Sequence, residues 1–149
     1  MEVTGRVSSI LAEKGGEVFS IGPSATVYAA LELMAAKGLG ALLVMENNRI
    51  IGVLSERDYA RKIILKGRSS KDTKVSEIMI SPAITVSPDC SASEAMQMMT
   101  DHRIRHLPVV DGSGAVVGIV SIGDLVKWII TSQQETIDQL HSYITGSGV

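Results

Sequence analysis

The strongest constraint on this chain is that much of it is written twice. Residues 52–59 read GVLSERDY and residues 118–125 read GIVSIGDL, so Gly52, Ser55 and Asp58 recur as Gly118, Ser121 and Asp124 at an offset of 66. Upstream, FSIGPSATVYAALELM aligns with ITVSPDCSASEAMQMM at an offset of 65, and the one extra residue falls in the loop DGSGA. Still earlier, Val7, Ser8 and Ile10 answer Val75, Ser76 and Ile78. Two copies of about 60 residues are too large and too few for a solenoid. They describe one small unit, duplicated and packed against its copy.

Each copy carries the same order of elements. A short extended run, Val18–Ile21 or Ala83–Val86, ends at Pro23 or Pro88 and leads into a helix. That helix has apolar residues at i, i+3, i+4 and i+7: Val27, Ala30, Leu31 and Met34 in the first copy, Ala92, Ala95, Met96 and Met99 in the second. Thr26 caps the first helix, and Ser91 with Glu94 forms a capping box on the second. Two β-branched runs follow in each copy (Ala41–Met45 with Ile50–Leu54; Leu107–Val110 with Val116–Val120), joined by the polar turns ENNR and DGSGA, as in a hairpin. A last helix starts after Ser55 or Ser121. The predicted fold is therefore α/β, with β-α-β-β-α twice: one repeat at 7–66, a second at 75–131, and a helical tail at 132–149 whose Ile137, Leu140 and Ile144 share a face suited to a partner or to the body of the protein. The polar, basic stretch KGRSSKDTK links the copies.

Composition narrows the function. A formal charge of −2 provides no general field for nucleic acid or an anionic membrane, and 3% aromatic residues leave little for base stacking. No apolar run approaches the roughly 20 residues of a membrane span, and MEVTGRVSSI lacks a secretory core, so a soluble, cytoplasmic protein is expected. The lone Cys90 excludes an internal disulfide and reads as a small residue at a helix start. GLGALL at 38–43 and GSGAVV at 112–117 begin like dinucleotide loops, but Leu43 and Val117 stand where the third glycine belongs. His102 and His106 are four apart across an expected helix-to-strand break, which does not make a metal site. With no base, nucleophile or metal set in view, the chain is not read as an enzyme.

The serine–aspartate pairs are the remaining polar signal. S-x-x-D at a helix start is a capping pattern in its own right. Capping alone does not call for a glycine three residues before each serine. A helix N-terminus at a strand end also receives phosphate, and a carboxylate one turn on can accept ribose hydroxyls.

The paired closing motifs GVLSERD and GIVSIGD, with HRIRHLPVVD in the second copy, resemble a tandem CBS-domain protein, the cystathionine-β-synthase-type pair called a Bateman module. The resemblance runs from about Val7 to Ile130. It implies two repeats packed about a pseudo-twofold axis, and clefts that bind an adenosyl ligand: AMP above all, with ADP, ATP, NAD(H) or S-adenosylmethionine as alternatives and no metal required. On that resemblance, Asp58 and Asp124 would hold ribose hydroxyls and Ser55 and Ser121 would face phosphate. Val18, Ser20, Ile84 and Thr85 would offer backbone and apolar walls to adenine. Arg105 and His106, beside Pro108, would contact phosphate. Gly40 and Ala41 replace that pair in the first copy, while just before the aspartate Arg57 in the first copy stands against Gly123 in the second. Two unequal clefts are therefore expected: a tighter one using Arg105 and His106, with Arg103 either beside them or a solvated surface charge, and titrating with His106 near neutrality; and a weaker one relying on Arg57 or selecting a differently charged ligand.

The expected function is regulatory: adenine-nucleotide sensing that modulates an unidentified partner protein. The alternative is a structural interaction module with empty clefts. The resemblance also implies a homodimer, for which Ile63, Ile64, Trp128, Ile129 and Ile130 are candidate contacts.

Overall fold

A computed structural model of the chain describes residues 4–145. The first copy contains α1 (Val7–Lys14), β1 (Ser20–Ile21), α2 (Val27–Lys37), β2 (Ala41–Glu46), β3 (Arg49–Ser55) and α3 (Glu56–Tyr59), which runs on as a π-turn over Ala60–Ile64. The second contains α4 (Val75–Ile78), α5 (Ala92–His102), β4 (His106–Val110), β5 (Val116–Ser121) and α6 (Ile122–Thr145). Strands β1, β2 and β3 form one sheet, with β1 parallel to β2, and β4 pairs antiparallel with β5 in another.

Local chemistry sets these boundaries. Thr26 accepts the Ala29 N–H at 3.1 Å and Ser91 accepts that of Glu94 at 3.0 Å, so both long helices begin on a hydroxyl cap. Helix α2 ends on Gly38 at φ 67°, and α5 ends on Arg103 at φ 54°. The first hairpin turns on Asn47 and Asn48, both at positive φ, the geometry that a two-residue turn between twisted strands requires. The second turns around Asp111, whose carboxylate accepts from Ser113 N–H, Ser113 Oγ–H and Ala115 N–H.

The opening strands are shorter than expected. Val18–Ile21 contracts to Ser20–Ile21, and Ala83–Val86 is reduced to a single bridge from Val86 to Val109. Proline explains the second loss. In the first copy Leu43 N–H reaches Phe19 O at 3.4 Å, but its counterpart is Pro108, which has no N–H to donate. Only Val86 N–H to Pro108 O and Val110 N–H to Val86 O remain.

The packing units do not coincide with the sequence repeats. Helix α1 lies against the second copy, where Val7 N–H donates to Cys90 O and Ser8 N–H to Pro88 O, and its Val7 and Ile10 join a core with Ala92, Ala95, Met99, Leu107 and Leu125. Helix α4 lies against the first, where Val75 N–H donates to Ala25 O and Ser76 N–H to Pro23 O, and Val75 and Ile78 join Val27, Ala30, Leu42, Leu54 and Ile63. The recurring glycines follow from this exchange. A Cβ on Gly52 would lie 2.8 Å from Ile80 O, and one on Gly118 would lie 2.7 Å from the Leu11 side chain. Each glycine lets the leading segment of the other copy press onto a hairpin, so packing accounts for it without a ligand.

Two expectations about exposed residues change. Ile63 is 2% exposed and belongs to the core, because the π-turn rotates it inward, so it is not a dimer contact. Trp128 packs on Gly5 and donates its indole N–H to Thr4 O at 2.8 Å. Helix α6 continues without a break through Thr131, so the tail extends the last helix of the repeat, and Ile137, Leu140 and Ile144 are exposed. Residues 146–149 of that tail lie outside the described residues.

Candidate functional site

Ser55 and Asp58 close on each other at the junction of β3 and α3. Asp58 N–H donates to Ser55 Oγ at 3.2 Å, while Ser55 N–H and Oγ–H donate to Asp58 Oδ2 at 2.9 and 2.8 Å. The box is complete, and it consumes the serine hydroxyl proton that a phosphate would have used. The other carboxylate oxygen, Oδ1, faces Lys62 Nζ at 3.4 Å. Asp58 is 7% exposed, an acid kept at the surface of the core by these partners.

This corner opens onto a cleft of about 560 Å³ between the two copies, a size within the range of small-molecule sites. One wall comes from the first copy: Gly40, Val53, Ser55, Glu56, Arg57, Asp58, and Arg61 and Lys62 of the π-turn. The other comes from the second: Ile84 and residues 102–106. Arg57 spans the gap, its guanidinium donating to Arg103 O at 3.1 Å. His106 leans across in the opposite direction, 3.5 Å from where a Cβ of Gly40 would be. The expected division of labour is thereby corrected. Arg57 does not serve one cleft while Arg103, Arg105 and His106 serve another. All four line one space, because the start of β4 and the start of α3 meet face to face.

The second corner has the same cap and a different neighbour. Ser121 N–H donates to Asp124 Oδ2 at 2.8 Å and Asp124 N–H to Ser121 Oγ at 3.1 Å. Lys14, at the end of α1, adds an ammonium to the same Oδ2 at 2.6 Å and to Ile119 O at 2.8 Å. Burial pushes the Asp124 carboxyl up, but Lys14 and the Ser121 donors outweigh it and hold the group below its ordinary value. The space beside it, about 280 Å³, is lined by Lys14, Asp124, Lys127 and Trp128. Nothing in the chain near Asp124 announces Lys14, which lies 110 residues away.

His106 also departs from expectation. Burial, then the Lys14 ammonium and Arg105, push its imidazole below the ordinary value, with Asp124 pulling the other way. The neutral imidazole is thereby favoured over the cation that a phosphate contact would use.

Of the residues singled out in the sequence, Gly40, Ser55, Arg57, Asp58, Ile84, Arg103, Arg105 and His106 meet in the larger cleft. Val18, Ser20, Ala41, Thr85, Pro108, Ser121 and Asp124 do not line it. Ala41 and Pro108 are spent on pairing with Ser55 and Ile119, and Ser20 pairs with Leu43. Sequence reading missed Arg61 and Lys62, although their spacing of three and four from Asp58 was a usable signal. Among the described residues no group of three or more His, Cys, Asp or Glu is placed to hold a metal ion, and no helix is long and apolar enough to cross a membrane.

Comparison with known proteins agrees with this architecture. The CBS-domain family model matches residues 7–65 and 75–131. The mitochondrial CBS domain-containing protein CBSX3 of Arabidopsis thaliana is 46% identical over 81% of this chain, which spans 61% of that protein. A solved CBS-domain structure from Burkholderia ambifaria MC40-6, named for signal transduction, superposes with a TM-score of 0.82 at 48% identity, covering 87% of this chain and 96% of that one. A hexameric CBS-CP12 protein from bloom-forming cyanobacteria superposes with a TM-score of 0.75 at 29% identity, covering 84% and 68%. Matched by the family model over both repeats, with β-α-β-β-α in the first and a single bridge in place of the opening strand in the second, the chain belongs to the CBS-domain family as a tandem pair.

Proposed function

We propose that this CBS pair is a regulatory module that binds an adenine nucleotide in the cleft between its repeats and reports occupancy to a partner protein. The observation that carries this reading is the meeting, in one cleft, of the Ser55–Asp58 corner with arginines from both copies. The corner supplies a carboxylate oxygen, Asp58 Oδ1, for ribose hydroxyls. Val53, Ile80 and Ile84 supply apolar wall for a base, and guanidinium groups supply bidentate donors for phosphate. Because Arg57 bridges to Arg103 O, a ligand that takes over its guanidinium would loosen or re-set the contact between repeats. That is a route from occupancy to shape.

The corners are unequal in this reading, since a ligand at Asp124 must displace Lys14, held at 2.6 Å, whereas one at Asp58 shares Oδ1 with the looser Lys62 at 3.4 Å. The module acts as a homodimer through the apolar residues it leaves exposed, Ile64, Leu65 and Ile130 among them. The family likeness to an assembly described as hexameric supports self-association.

A second reading, an interaction module without ligand, is favoured by one observation: the Ser55–Asp58 box is complete as a cap. Calorimetry with AMP, ADP, ATP, NAD(H) and S-adenosylmethionine on the native chain and on Asp58→Ala separates the two. Ribose contact predicts an affinity loss of about 1–3 kcal/mol in the variant. Unchanged affinity with only a lowered melting temperature, or no binding of any compound by the native chain, would leave the capping reading standing.

A further inference from the structure

We infer, resting on the nucleotide reading above, that the cleft selects a nucleoside di- or triphosphate over the monophosphate, with Arg103 and Arg105 as the discriminating residues. The first ground is charge. The chain as a whole is acidic, with a formal charge of −2, yet four of its seven arginines line this one cleft: Arg57, Arg61, Arg103 and Arg105. None of the four belongs to an ion pair among the described residues, whereas Arg6 and Arg68 are paired with Asp89 and Glu77. Arg57 is satisfied by a neutral carbonyl. Of the two carboxylates on the walls, Asp58 is matched by Lys62 at 3.4 Å, so four guanidinium groups stand against Glu56 alone. A monophosphate brings about −2 at neutral pH, and each further phosphate adds about one more charge. The residual excess of three positive charges suits the longer phosphate chain.

The second ground is backbone geometry. Arg103 sits at φ 54°, where the first copy has Gly38 at φ 67°. The left-handed region suits glycine and strains a residue with a Cβ, and such strain persists where the side chain has a use. Here the strained residue lines the cleft. The third ground is span. The Ser55–Asp58 corner belongs to the first copy, and Arg103 and Arg105 to the second, so the two ends of the ligand rest on different repeats. Arg57 already reaches Arg103 O, so a first phosphate at its guanidinium sits at that boundary, and further phosphates extend toward Arg103 and Arg105.

The test is calorimetry with AMP, ADP, ATP and inorganic triphosphate in metal-free buffer, on the native chain, Arg103→Gly, Arg105→Ala and Arg105→Lys. The native chain is expected to bind ATP at least about tenfold tighter than AMP, with ADP between, the worth of one charge-assisted contact. Arg103→Gly removes the side chain while relieving the backbone, so its melting temperature should hold or rise while the ATP-to-AMP ratio falls to within about threefold. Arg105→Ala should lower the ratio likewise, and Arg105→Lys should keep part of it. Magnesium, by cancelling charge on the phosphates, should narrow the native ratio. Equal native affinities for AMP and ATP would overturn this inference and leave the nucleotide reading intact. A ratio preserved in both Arg103→Gly and Arg105→Ala would overturn the assignment of the discriminating residues. Inorganic triphosphate binding as tightly as ATP would overturn the nucleoside class, and no binding of either nucleotide would overturn both readings together.

Discussion

Replacing Lys14 by methionine keeps an aliphatic side chain at the end of α1 and removes the ammonium that joins Asp124 Oδ2 at 2.6 Å and Ile119 O at 2.8 Å. The side chains are 34% and 22% exposed, between a surface pair and a buried one. Exposed pairs are worth about 0–1 kcal/mol and hydrogen bonds to charged groups about 1.5–3 kcal/mol, so about 1–2 kcal/mol is expected here. For a chain of this size that lowers the melting temperature by about 3–8 °C. The value must be separated from the loss of any lysine contact, which a double-mutant cycle with Asp124→Asn achieves, the asparagine keeping an acceptor for the cap. Urea unfolding followed by Trp128 fluorescence reads the free energies, because Trp128 packs against the core that α1 completes. The coupling should persist in large part at high salt, since the pair is shielded from solvent on one side. A coupling energy near zero, or one abolished by salt, would refute the idea that Lys14 holds α1 against the second corner.

Three further outcomes follow from the packing and the charges. Gly52→Ala should destabilise more than Gly118→Ala, since the first added methyl meets the Ile80 carbonyl at 2.8 Å and the second the mobile end of Leu11 at 2.7 Å; chemical denaturation of both variants gives the order, with overpacking costs of about 1–3 kcal/mol. His106 has its imidazole held below the ordinary value, so the unfolded chain binds more protons than the folded one from about pH 6.5 down to the folded pKa. Stability should therefore fall on acidification through that window, and His106→Gln should flatten this part of a pH series of melting curves; an unchanged slope would count against the burial of the ring. Ile130, 61% exposed, should lose its part in self-association when replaced by glutamate, which sedimentation velocity reads as a shift to monomer, with circular dichroism unchanged.

Much of this protein was legible in its linear order, and the reason is that its signals are local. The S-x-x-D pairs Ser55–Asp58 and Ser121–Asp124, the 3.6-residue stripes through Met34 and Met99, and the asparagine turn at 47–48 each depend on residues within a few positions of one another. Caps, turns and helix faces form from such neighbours, so the β-α-β-β-α order and both hydroxyl caps could be read directly. Tertiary structure decided the rest. It exchanged α1 and α4 between the copies, which explains Gly52 and Gly118 through close packing and not through a ligand. It set Arg57 of one repeat against Arg103, Arg105 and His106 of the other, where the aligned sequences had suggested separate sites. It delivered Lys14 to an aspartate 110 positions away. A repeat alignment compares each residue with its counterpart in the other copy, whereas a cleft between copies is built from residues that are not counterparts, and their meeting depends on how two apolar cores choose to bury their leading helices.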